Sequence, residues 1–193
     1  MPRGVRVLGL GDVTHLVGTV LLGVAGALGI TAIAGFAFGQ GSGLPLLISC
    51  LVAAVAGWTA RHFTRVPDAI NFQEAFATVT FSWVAVAIVG ALPYLLAGAI
   101  TSPTAALFES VSGFTTTGAS VFSDVEVIEP GILLWRSVTQ WLGGMGFIVL
   151  GVAVLPFLGV GGMQLFRLEA PGPTTDRMQQ LAKLHHGHGI QET

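Results

Sequence analysis

The sequence predicts an all-α integral membrane protein: four transmembrane helices, with one short re-entrant helix and a polar loop between the third and the fourth. Three observations carry this. The chain of 193 residues is 52% hydrophobic and only 9% charged, where soluble domains carry about 25% charged residues. Four apolar runs reach or approach the roughly 20 residues that a helix needs to cross the hydrocarbon layer. One segment between two of those runs, "FESVSGFTTTGAS" at residues 108–120, is rich in hydroxyls and glycine. The 27 glycines also suit membrane helices, whose backbones approach closely where side chains are small.

In order, the first run is Leu16 to Phe38, uncharged throughout and too long for a cleaved leader peptide. Leu44 to Ala60 is shorter and opens with Pro45, tolerated in a first turn. Ala75 to Ile100 is long, and Pro93 is expected to kink it. Gly131 to Val160 is interrupted by a single charge, Arg136. Gly23, Gly26 and Gly29 make a smooth stripe on the first run, expected to be a helix contact.

Charges orient the spans. Arg3 and Arg6 precede the first, Arg61 and Arg65 follow the second, and Arg167, Arg177 and Lys183 follow the fourth. With alternating spans, seven of the eight basic residues fall on one side, which predicts cytoplasmic termini. Residues 101–130 hold Glu109, Asp124, Glu126 and Glu129 but no lysine or arginine. The net charge of −2 gives no electrostatic case for binding nucleic acid. Cys50, the single cysteine, lies in an apolar run and reads as a small buried side chain.

Residues 101–130 are too polar to span and too patterned for a plain loop. Ser102 and Pro103 suit an N-cap and first-turn proline, and a short helix then ends near Ser112 and Gly113. Such a helix enters a membrane without crossing it. Irregular backbone beyond it survives at membrane depth only where protein buries it or water lines it. A helix entering from the outer face aims its partly negative C-terminal end inward, which favours a cation. Carbonyl oxygens beyond that end can replace an alkali ion's hydration shell, and Gly118 permits a backbone conformation closed to other residues. Threonines with a glycine are the ingredients of a cation selectivity filter.

"FESVSGFTTTGAS", with "LLWRSVTQWLGGMGFIVLGVAVLPFLGVGGMQLFRLEAPGP" at residues 133–173, closely resembles the TrkH family of bacterial potassium-uptake membrane subunits, within the Trk/Ktr/HKT superfamily. The likeness covers about residues 70–175. It implies one repeat of outer helix, pore helix, filter and inner helix over residues 70–160, where a complete pore has four. Residues 1–69 correspond to the family's extra N-terminal helix pair, and residues 161–193 to a cytoplasmic tail. It further implies that Thr115, Thr116, Thr117 and Gly118 form a filter strand, with potassium at Thr116 and Thr117 and no covalent cofactor. Also implied are a bacterial inner-membrane location, a soluble nucleotide-binding (TrkA-like) regulatory subunit on the cytoplasmic face, and a homodimer of the complete protein. Arg167 and Glu169 lie on the surface open to such docking. A second "SGxTTTG"-like stretch is not found in the sequence, so the expectation is an N-terminal part of a longer transporter. A non-conducting four-span scaffold or fragment is the competing reading.

Other residues divide between roles. Arg136 either pairs with Glu109, bracing the pore helix against the inner helix, or reaches the headgroups. Gln140, Gly143, Gly144 and Gly146 in "QWLGGMGF" favour inner-helix packing over a moving hinge. His185, His186 and His188 lack the fixed geometry of a metal site, and His15 reads as interfacial. "LGVGGMQ" lacks the lysine of a phosphate-binding loop. The sequence presents no nucleophile with a base and no paired carboxylates in a cleft, so an enzyme is not expected.

Overall fold

The computed structural model describes residues 9–39, 41–66, 72–125 and 128–154. Arg3, Arg6 and the chain after 154, with the end of the fourth run, Arg167, Glu169 and the histidine tail, lie outside them. Among the described residues there are five α-helices and no strand: α1 (Leu10–Ala37), α2 (Gly43–His62), α3 (Phe72–Leu96), α4 (Pro103–Phe114) and α5 (Pro130–Val154). Three of them, Leu10–Ala37, Gly43–His62 and Gln73–Leu96, are long and apolar enough to cross a membrane. Their outward faces are apolar as well: Ile33 is 72% exposed, and Ile30, Leu51, Val55 and Phe81 are also open. Outward aliphatic side chains of this kind are stable against lipid and costly against water.

Helix α1 starts six residues before the apolar run does, taking in Asp12 and His15. Its first turn is held from a distance. The buried Glu74 carboxylate on α3 accepts the Gly9 N–H at 3.0 Å, and Asp12 complements the positive end of the helix. His15 is buried, its Nδ1 3.1 Å from the Thr64 hydroxyl just after α2.

The α1–α2 pair closes on glycines, but not on the expected stripe. A β-carbon at Gly18 would meet the Gly57 carbonyl, and one at Gly35 would meet the Gly43 backbone. Gly23 and Gly26 face outward with nothing within 4 Å, and Gly29 reaches only Cys50 Sγ. The contact glycines lie at the two ends of α1. In the middle of the pair Cys50 takes that place, its thiol donating to the Ala25 carbonyl at 3.1 Å.

Helix α3 runs continuously through Pro93 and stops at Leu96 rather than Ile100. Gly98, at φ 69°, turns the chain out. Ser102 then caps α4 by position: its backbone is extended and Pro103 opens the helix. Its hydroxyl pairs with that of Thr104 at 2.8 Å instead of a backbone amide. The 12 residues of α4 give a rod of about 18 Å, shorter than the ~30 Å hydrocarbon layer.

Candidate functional site

The last turn of α4, the loop after it and the facing side of α5 form one polar assembly. Helix α4 ends in a Schellman arrangement. The Thr116 N–H donates to the Gly113 carbonyl at 2.9 Å and the Thr117 N–H to the Ser112 carbonyl at 3.0 Å. That motif needs a left-handed residue, normally glycine, and here Thr116 takes the position at φ 56°. A β-branched residue in this region is a strained exception. Gly118 follows at φ 75°. The sequence had marked Gly118 for unusual backbone; Thr116 shares the role.

Thr115, Thr116, Thr117 and Gly118 are all exposed. Among the described residues, no hydrogen-bond donor reaches their four carbonyl oxygens. The hydroxyls are partly spoken for. Thr115 Oγ1 donates to the Val111 carbonyl at 2.7 Å and lies 2.8 Å from Thr117 Oγ1. The loop therefore presents main-chain oxygens while its side chains hold it to the helix end.

Beyond Gly118 the chain is tied back. Ser112 donates its hydroxyl to the Ala119 carbonyl at 2.5 Å. Glu109, 1% exposed, accepts the Val121 N–H at 2.9 Å and the Ser120 hydroxyl at 3.1 Å. Arg136 Nε on α5 donates to Glu109 Oε1 at 2.6 Å. The structure thus brings Glu109 and Arg136 together. A buried carboxylate is tolerable when charge and lone pairs are satisfied in this way.

The four residues singled out on α5 separate. Gly143 is buried against the Phe114 carbonyl, and a β-carbon at Gly144 would lie 3.8 Å from Thr116 Cγ2. Gly146 is exposed with nothing within 4 Å. Gln140 is half-buried with no hydrogen bond among the described residues. The sequence did not reveal Trp135, which is fully buried, donates its indole N–H to the Gly90 carbonyl at 3.0 Å and meets the Phe114 ring edge-on. Nor did it reveal Ser112, Ser120 or Thr139. A buried Trp beside a membrane arginine is the signal that was available for the first. A cavity of about 480 Å³ is bordered by Gly98, Val121, Asp124 and Glu129.

The family model of the TrkH cation transport proteins matches residues 45–185. The Trk system potassium uptake protein TrkH of Halomonas elongata is 50% identical over 55% of this chain and 22% of its own length. The TrkH proteins of Salmonella typhimurium and Escherichia coli are each 38% identical over 85% of this chain and 34% of theirs. The crystal structure of the potassium transporter TrkH from Vibrio parahaemolyticus superposes with a TM-score of 0.74 at 30% identity, covering 92% of this chain and 36% of that one. The chain spans about a third or less of the length of these relatives. They are membrane transport proteins and not enzymes, and the chain belongs to the TrkH family of cation transport proteins.

Proposed function

We propose that residues 70–160 form one repeat of a potassium-uptake pore, with Thr115 to Gly118 as its filter strand and potassium coordinated at Thr116 and Thr117. The observation that carries this is the run of four consecutive carbonyl oxygens without donors, on a loop tied down at both ends. Oxygens kept free in this way can replace the water around an alkali ion without collapsing onto a protein donor. The C-terminal end of α4, directly before the strand, adds negative potential. In this reading α4 is a re-entrant pore helix, α5 is the fourth span, residues 1–69 are a supporting helix pair and residues 161–193 are a cytoplasmic tail. Both termini are cytoplasmic, in the inner membrane of a bacterium. A nucleotide-binding regulatory subunit docks on the cytoplasmic face, and the complete protein is a homodimer.

One strand offers oxygens from one direction only, and an ion needs several. Three further strands must close the ring around it. This favours a second reading for the 193 residues taken alone: a non-conducting scaffold or fragment. Rubidium uptake in transporter-deficient cells separates the readings. In the complete transporter, Gly118→Val is expected to abolish uptake or selectivity. Unchanged uptake would remove the filter assignment. The isolated chain in liposomes is expected to pass no rubidium.

A further inference from the structure

We infer that Gly143 is a positioning residue for ion selectivity: its bare Cα is the stop that sets the depth of the Phe114 carbonyl and, through it, of Thr115 to Thr117. This rests on the filter reading above and adds a role that packing alone does not give.

The contact is between backbone and backbone. A β-carbon at Gly143 would overlap the carbonyl oxygen and carbon of Phe114, and neither is the far end of a flexible side chain. Phe114 is buried, and no N–H or O–H donor among the described residues reaches its carbonyl. The hydrogen on the Gly143 Cα faces this otherwise unpaired oxygen, a weak C–H···O contact of the kind common at helix crossings. A moving hinge would need slack, and that is found three residues on, at exposed Gly146. Gly143 has none.

Displacement of the helix end would carry the filter strand with it. The amides of Thr115, Thr116 and Thr117 all donate back into the last turn of α4, to Val111, Gly113 and Ser112. Those three residues are one unit with Phe114. The same unit is held on its other sides without spare room. A β-carbon at Gly113 would overlap Thr139 Oγ1, and one at Gly90 would overlap the Ser110 hydroxyl and the Phe114 ring. Extra volume at residue 143 therefore moves the carbonyl row along the ion path, and selectivity among alkali ions depends on where those oxygens stand.

The test is rubidium uptake against competing sodium, in transporter-deficient cells expressing the complete transporter. Gly143→Ala is expected to lower rubidium-over-sodium discrimination by about tenfold, equivalent to ~1.4 kcal/mol, with protein still in the membrane. Thr139→Ala, which gives the helix end slack against Gly113, is expected to lower it as well, while Thr139→Ser keeps the contact and the discrimination. Gly26→Ala, on the open face of α1, is the control. Unchanged discrimination in Gly143→Ala overturns the proposal; if that variant does not accumulate, unchanged discrimination in Thr139→Ala does so. Gly118→Val run alongside separates the two levels. Insensitivity at Gly118 removes the filter reading itself, whereas sensitivity there with an unmoved Gly143→Ala overturns only the positioning role.

Discussion

Glu109 is the most expensive side chain in the assembly, because it brings a formal charge to a site that is 1% exposed. It serves three donors on two elements: Arg136, Ser120 and the Val121 amide. Replacing it with alanine leaves the Val121 amide and a guanidinium without an acceptor, the latter on a side chain only 19% exposed. Breaking a buried pair from one side costs about 3–5 kcal/mol, so Glu109→Ala should lower the thermal unfolding midpoint in detergent sharply. Glu109→Gln keeps an acceptor for Val121 and should recover about half of the loss. Reversing both charges should not restore wild-type behaviour, since an arginine at 109 would point a donor at the Val121 N–H. At Thr116 the balance runs the other way. A left-handed residue with a β-carbon costs roughly 1–2 kcal/mol. Thr116→Gly should therefore leave stability unchanged or slightly raised while loosening selectivity, a combination that thermal unfolding and rubidium–sodium competition together would detect.

Helix pairing shows what a sequence stripe can and cannot say. Gly57 sits where its β-carbon would strike the Gly18 carbonyl and Leu22. Gly57→Leu should therefore cost about 1–3 kcal/mol by overpacking, whereas Gly23→Leu on the open face should cost less than about 0.5 kcal/mol. Unfolding midpoints of the two variants measure the contrast. The sequence identified the helices themselves, because long uncharged runs leave few other options. It did not single out Gly18 and Gly35, the glycines of α1 that pack on α2, because spacing marks a face as smooth without saying what covers it. It began α1 late for a similar reason: the partner that holds the Gly9 amide is Glu74, 65 residues further on. The threonine strand stood out by composition alone. Its fastening to Glu109 did not, because Ser120 and Val121 reach the carboxylate only after the chain turns at Thr116 and Gly118. That turn is a matter of backbone hand rather than hydropathy.

The orientation of the whole molecule decides whether the negative end of α4 points into the membrane from the outside, as a cation filter requires. The charges visible among the described residues are consistent with one arrangement. Arg61 and Arg65 cluster at the end of α2, where Trp58 stacks on His62 with ring centroids 4.8 Å apart. Aromatic rings with a polar edge collect at the membrane–water boundary, and arginines collect on its cytoplasmic side. Asp124 and Glu129 lie beyond α4, near the other end of the bundle's connections. Because Cys50 is the single cysteine of these 193 residues, Cys50→Ala makes this chain thiol-free for labelling. A cysteine placed at Ser123, an exposed position, should react with an impermeant maleimide in intact spheroplasts. One placed at exposed Arg65 should react only after permeabilisation. The opposite pattern would direct the helix dipole and the two carboxylates towards the cytoplasm and leave the threonine carbonyls facing the wrong compartment for uptake, whatever their geometry.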